Sequence, residues 1–224
     1  MIITLIGGTG DIGEGLALRW AHDTTHEIRI GSRDPQKGID SAKKYELELS
    51  NRGKKRTVLG GGNDEMTVGA DIIVLSVPPY YIVDTIKSIT EAISPGSILI
   101  SPAVGLKRDD DGNFYSSPPP SSRSVTEYAA NASPDGVPLI GAFHTLPAHR
   151  LSDLDAPLDF DTLVVGDDAD AKQVVIQISN EINGLRAVDA GALANSAEIE
   201  GITPVLINIS KSNKDMDELG IEIK

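Results

Sequence analysis

An α/β fold on a doubly wound parallel sheet is what this sequence predicts, and three observations carry that reading. Met1 to Ile6 is an apolar run that passes straight into Gly7-Gly8-Thr9-Gly10-Asp11-Ile12-Gly13 and then into a helix-forming stretch. Gly8, Gly10 and Gly13 match G-x-G-x-x-G in the strand–turn–helix setting that this spacing requires. Further on, β-branched runs alternate with amphipathic stretches, as in β-α-β units joined by right-handed crossovers. The architecture expected is Rossmann-type, with a small C-terminal appendage of helix and strand.

The elements follow in order. His26 to Ile30 is a second strand, ending in Gly31-Ser32-Arg33. Asp34 before Pro35 is N-cap chemistry for a helix that closes with Glu46 to Asn51. Lys54 to Leu59 is a short basic-then-apolar stretch, and Gly60-Gly61-Gly62 reads as a turn. Asn63 to Gly69 supplies one or two helical turns. Asp71 to Val77 is a buried parallel strand by its β-branched character, stopped by Pro78-Pro79. Tyr80 to Ile93 sets Ile82, Ile86, Ile89 and Ile93 at helical spacing. Ser97 to Ser101 is the next strand, ended by Pro102.

Lys107 to Ser122 carries Asp109-Asp110-Asp111-Gly112 and a proline run, and reads as a surface turn and loop. Ser124 to Asn131 is a short helix; Val137 to His144 and Thr162 to Gly166 are strands. Asp168 caps a helix with Val174, Val175, Ile178 and Ile182 on its apolar face, closed by Gly184. Leu185 to Asp189 is a last strand. From Ala190 the chain reads as helical, with Ile202, Val205, Leu206 and Ile209 on one face and a kink at Pro204. The division expected is residues 1–145 for the dinucleotide domain and 146–224 for a smaller part completing the cleft.

The glycine loop, Gly8 to Gly13 with Thr9, Asp11 and Ile12, would hold a pyrophosphate at the helix N-terminus. NAD sites place an acid about twenty residues after the glycines, on the ribose 2′-OH. Here the strand end carries Ser32 and Arg33, with Lys37 one turn on. A guanidinium and a hydroxyl suit a 2′-phosphate, which a carboxylate would repel. Thr9 offers one more hydroxyl. The pattern points to NADP; the competing reading of Arg33 is a solvated surface arginine.

Composition narrows the classes. The 224 residues suffice for one sizeable domain or a domain with an appendage. No apolar run approaches the ~18 residues of a membrane span. No signal peptide precedes the first strand, so a cytoplasmic protein is expected. The absence of cysteine excludes disulfides, thiolate catalysis and cysteine-ligated metals. A net charge of −13 argues against nucleic acid and requires a local basic patch for an anionic cofactor.

Beyond the glycine loop, the chain carries Val74-Leu75-Ser76-Val77-Pro78, Ile100-Ser101-Pro102, Phe143-His144-Thr145-Leu146-Pro147-Ala148, Val165-Gly166-Asp167-Asp168, Asp189-Ala190-Gly191 with Asn195-Ser196, and Leu219-Gly220-Ile221. Through these segments, over essentially its whole length, it resembles the archaeal and actinobacterial NADPH-dependent reductases of the 8-hydroxy-5-deazaflavin coenzyme, coenzyme F-420. The resemblance implies hydride transfer between the nicotinamide C4 and the deazaflavin C5, with NADP along the sheet edge and the deazaflavin in a cleft closed by the C-terminal part. It implies that Val77, Pro78 and Pro79 border the nicotinamide, and that Val104 and Ala148, in loops, complete the pocket. The chain departs from that family at Pro79-Tyr80-Tyr81 and in a longer Asp109–Ser122 loop.

Because both reacting carbons belong to cofactors, the protein's task is to orient and shield them. His144 is the polar candidate for catalysis: it either meets the deazaflavin ring and stabilises charge there, or is a satisfied histidine at a strand end. Asn195 either faces the cleft or caps a helix. Arg150 and Arg186 are either anchors of the anionic tail or ordinary surface arginines. No metal is expected. The partners are small molecules, and an apolar C-terminal helix makes a homodimer reasonable. Two alternatives stay open: another small NADP-dependent reductase acting on imines or 2-oxo acids, and a non-catalytic NADP-binding redox sensor.

Overall fold

Strand β1 (Ile2–Ile6) lies at the centre of the sheet, where every residue after Ile2 is buried. The computed structural model describes residues 1–224. Helix α1 (Asp11–Asp23), strand β2 (Glu27–Ser32) and helix α2 (Pro35–Asn51) follow. Next come β3 (Val58–Gly62), α3 (Asn63–Thr67), β4 (Ile72–Leu75), α4 (Ile82–Ile89) and β5 (Ile98–Ser101). The hairpin β6 (Leu106–Arg108) and β7 (Phe114–Ser116) leads to α5 (Val125–Ala130) and β8 (Leu139–Gly141). The remaining elements are α6 (Ala148–Ser152), β9 (Phe160–Val164), α7 (Ala169–Asn180), β10 (Leu185–Asp189) and α8 (Ser196–Ser212).

Six parallel strands form the main sheet in the order β3-β2-β1-β4-β5-β8. The reversal of strand order between β1 and β4 is the switch point at which such sheets bind ligands, beyond the carboxyl ends of the strands. β9 and β10 form a separate parallel pair, joined to the edge of β8 through the Gly141–Val165 bridge. Trp20 on α1 ties the two parts together. Its indole meets Phe143 edge-on at 5.6 Å, and its N–H donates to the Ile178 carbonyl of α7 at 2.9 Å.

Several sequence expectations need correction. Gly60-Gly61-Gly62 is the end of β3 and not a turn. α2 lies directly on it: a Cβ at Gly60 would overlap the Gly38 backbone, and one on Gly38 would overlap Gly61. The glycines are there so that helix and strand can meet backbone to backbone. Residues 106–116 pair as a β-hairpin rather than an irregular loop, because Asn208 of α8 bonds both the N–H and the carbonyl of Phe114. Ala148 opens a helix, α6, and does not lie in a loop. α8 begins at Ser196, after a 3-10 turn, and not at Ala190. Its deeply buried residues are Ser196, Ile199, Glu200 and Pro204, whereas Val205 and Ile209 are exposed.

Asp34 caps α2 by accepting the Gln36 N–H, and Asp168 caps α7 by accepting that of Ala171, as their positions predict. No helix is long and apolar enough to cross a membrane.

Candidate functional site

A two-compartment cleft opens at the carboxyl ends of β1, β2, β4 and β5. The compartments have volumes of about 520 and 740 Å³ and share Gly10, Ser76, Val77 and Pro78. Both volumes fall in the range of small-molecule sites.

The smaller compartment is polar. Thr9, Gly10, Ser32, Arg33 and Lys37 all line it, together with Asp34, Asn63 and Tyr81. The glycines divide by purpose. A Cβ on Gly13 would lie 2.6 Å from the Gly8 Cα, and one on Gly8 would lie 2.8 Å from the Leu5 carbonyl oxygen. Those two glycines serve the packing of loop on strand, and neither faces the cleft. Gly10 differs. Its backbone is one that any residue adopts (φ −96°), and a Cβ there would meet nothing closer than the Gly7 oxygen at 3.6 Å. The space that Cβ would fill is the cleft itself, at the N-terminus of α1, where no side chain caps the first-turn N–H groups. Tyr45 of α2 holds the loop by donating its hydroxyl to the Gly8 carbonyl at 2.8 Å.

Two cations, Arg33 and Lys37, and one acid line this compartment. The acid, Asp34, is engaged in capping, and Ser32 is nearly buried at the strand end. The guanidinium of Arg33 lies over the Tyr81 ring at 5.2 Å. In the sequence Tyr81 stands out only as a departure from the family pattern. Its contact with Arg33 spans 48 residues and has no local signal.

The larger compartment is mainly apolar. Asp11, Ile12, Val77, Pro78, Val104, His144 and Ala148 line it. Pro79 does not; it opens a 3-10 turn that leads the chain away toward α4. One wall is α8, through Thr203, Leu206 and Ile207, none of which the sequence singled out as site residues. Another is the segment from His144 to Ala148, which runs into α6, the helix that Arg19 holds. That buried guanidinium donates to the carbonyls of Arg150, Leu151, Asp153 and Ala156, clamping α6 onto α1. Burial holds Arg19 below the usual arginine range, so the carbonyls must supply what water would.

His144 is 5% exposed and buried enough to push its pKa down to about 4. It is therefore neutral near neutral pH. It follows Phe143, which has φ 69° and a backbone N–H bonded to Thr162 Oγ1 at 2.7 Å. This left-handed residue turns the chain so that Phe143 packs on Trp20 while His144 borders the cleft. The structure gives three further residues other partners. Arg186 forms a two-pronged pair with Asp161 and also reaches the Ile223 carbonyl. Asp161 is thereby held below the usual carboxylate range. Arg150 faces Glu218 at 3.7 Å, and Asn195 donates to the Ala190 carbonyl. None of the three lines either compartment.

Residues 2–105 match the family model described as NADP oxidoreductase, coenzyme F420-dependent. The F420-dependent NADP reductase of Methanocaldococcus jannaschii is 39% identical over 94% of this chain and 92% of its own length. The enzyme of the same name from Methanothermobacter marburgensis is 37% identical over 96% and 94%. A crystal structure from Arthrobacter sp. FB24, of a candidate F420-dependent NADP reductase, superposes with a TM-score of 0.78 at 22% identity. It spans all of this chain and 98% of that one, which shows the shared fold. With identity at this level over nearly the full length, the chain belongs to the coenzyme F420-dependent NADP oxidoreductases.

Proposed function

We propose that the protein is an oxidoreductase that moves hydride reversibly between NADP(H) and coenzyme F-420. The observation that carries this reading is the junction of the two compartments at Gly10, Ser76, Val77 and Pro78. In a member of this family, that junction is where two ring systems can be held against each other. When bound, the two coenzymes supply the chemistry: the hydride passes between the nicotinamide C4 and the deazaflavin C5.

The chain's own residues bind, orient and exclude water. The Gly8–Gly13 loop and the α1 N-terminus receive the pyrophosphate, with Gly10 leaving the space for it. Ser32, Arg33, Lys37 and Thr9 receive the 2′-phosphate. Val77 and Pro78 shape the nicotinamide side, and Val104, Ala148 and His144 border the deazaflavin. Residues 1–145 then act as the NADP part, with 146–224 closing the second compartment. Within this reading the enzyme is cytoplasmic. It pairs as a homodimer through the exposed apolar side chains Val205 and Ile209 of α8, a state that sedimentation velocity reads directly.

The test is isotopic. Deuterium from C4-labelled NADPH is expected at C5 of the reduced deazaflavin without loss to solvent, and initial-rate lines for the two substrates are expected to intersect. Label lost to water would overturn direct transfer. Reduction of imines or 2-oxo acids in place of the deazaflavin would overturn the substrate assignment. NADP binding without turnover would leave a redox sensor.

A further inference from the structure

We propose that Glu200 and Thr126 are positioning residues that fix the tautomer of His144, so that Nε2 carries the proton and Nδ1 stands bare, accepting a hydrogen bond from an N–H or O–H of the ring bound in the larger compartment. This rests on the assignment of that compartment to the deazaflavin.

Glu200 is a carboxylate on α8 with 1% exposure and no ion pair; what surrounds it is a set of donors. Its Oε2 accepts the Val125 N–H at 2.9 Å. Its Oε1 accepts the Thr126 N–H at 2.9 Å and the Thr126 hydroxyl at 2.8 Å. Burial, with the nearby Glu127 charge, raises the Glu200 pKa, and these three hydrogen bonds oppose that rise without cancelling it. Three donors converging on two oxygens are the partners of an ionised carboxyl group.

The consequence runs along one chain of atoms. A carboxylate has no proton to give, so the Thr126 hydroxyl must donate to Glu200. A hydroxyl has one proton. Toward His144 Nε2, 3.1 Å away, Thr126 Oγ1 can therefore only accept. Nε2 then bears the hydrogen, and because a buried neutral imidazole has only one N–H, Nδ1 has none. Independently of this network, Nδ1 is a buried polar atom with no hydrogen-bond partner in the protein. Such an atom is costly unless something satisfies it, and His144 lines the compartment assigned to the ring. The backbone is pinned as well: Thr203 Oγ1 donates to the His144 carbonyl at 2.9 Å, and Phe143 holds its left-handed turn. His144 is thus a neutral acceptor whose only proton is used on Thr126. It orients the ring and does not act as a cationic donor to charge developing on it.

The experiment uses the ligand-free, full-length protein with ¹⁵N-labelled histidine. The protein has four histidines, and His144→Gln identifies the resonances of interest. The expected pattern is the Nε2–H tautomer in the wild type and in Thr126→Ser, and a mixed or reversed tautomer in Thr126→Val. With 8-hydroxy-5-deazaflavin lacking the anionic tail as the probe, Thr126→Val is expected to raise KM for the probe about tenfold, the worth of one well-made hydrogen bond. KM for NADPH stays unchanged, and Thr126→Ser restores the wild-type value. An Nδ1–H tautomer in the wild type overturns the relay, as does a Val variant with unchanged tautomer and KM. If Thr126→Val fails to fold, the wild-type tautomer still decides. If the tautomers behave as expected but the probe neither binds nor reacts, the relay holds and the ligand assignment falls.

Discussion

The two compartments of one cleft are built in opposite ways. The smaller compartment, proposed for the nucleotide, takes most of its polar lining from two short stretches, Gly8 to Gly13 and Ser32 to Lys37, each at the carboxyl end of a neighbouring strand. The larger compartment, proposed for the deazaflavin, takes its walls from the glycine loop and from segments at Val77, Val104, His144 to Ala148, and Thr203 to Lys211. One is lined by charged and polar groups, the other is mainly apolar and walled by a helix. The contrast teaches that phosphate recognition can be local, because backbone N–H groups and a few cations suffice. An uncharged ring must be enclosed on several sides, and enclosure needs distant chain segments.

The largest expected effect tests whether the glycines divide as the geometry says. Gly10→Val should abolish NADPH binding in calorimetry while circular dichroism stays native, because its side chain enters only the cleft. Gly13→Ala should instead cost stability, since its Cβ has the Gly8 backbone 2.6 Å away. Micromolar NADPH binding by a folded Gly10→Val protein would move the dinucleotide elsewhere.

The next effect belongs to the buried histidine of the larger compartment and is read as stability against pH. His144 titrates near 6.5 when unfolded and at about 4 in the fold. Between those values the unfolded chain binds the extra proton, so stability falls as pH drops from about 6.5 through 4. The loss is about 3 kcal/mol at pH 4, taken as the difference between wild type and His144→Gln in urea titrations. Glu200, raised by burial, has the opposite sign: its contribution is present at low pH and lost as pH rises. It is common to both proteins and cancels in the difference. A pH-independent difference would mean that His144 is protonated within the fold.

Smaller effects sharpen the nucleotide side. Arg33→Ala should weaken NADPH by about 1.5–3 kcal/mol, the worth of hydrogen bonds to a charged group, and leave NADH nearly unchanged in steady-state kinetics. Equal losses for both cofactors would remove Arg33 from the 2′-phosphate. Tyr81→Leu should cost about 0.5–1 kcal/mol in NADPH affinity, by releasing the guanidinium from the ring it lies on. No change in the dissociation constant would show that Arg33 is held by the phosphate alone.

Legibility in the sequence followed the same divide. The parallel strands, the glycine loop, the Asp34 and Asp168 caps and the cationic strand end were readable, because each is a short-range relation: residue period, turn chemistry, or charge beside a loop. Gly60 to Gly62 reads as a turn in the sequence because the helix that demands small residues there, through Gly38, lies more than twenty positions earlier. The 106–116 hairpin has no local signature, because Asn208, which pins it, is 94 residues away from Phe114. Glu200 did leave a trace, a carboxylate on a helix flank between Ile199 and the buried Pro204, but nothing local says that it meets the start of another helix.

What the sequence by itself determined is the part of the protein whose physics is local. It includes a β-α-β order with its crossovers, a phosphate-binding glycine turn, and a choice of 2′-phosphate over 2′-hydroxyl from the sign of charge at one strand end. Tertiary structure alone decided what depends on burial and on meeting across the chain. It made His144 neutral by enclosing it, oriented it through Thr126 and Glu200, and set it at the cleft through a left-handed Phe143. It committed Arg186 to Asp161 and Arg19 to four carbonyls. A charged side chain reads the same in any sequence; its role is set by desolvation and by the partners that answer it, and both exist only once the chain has folded.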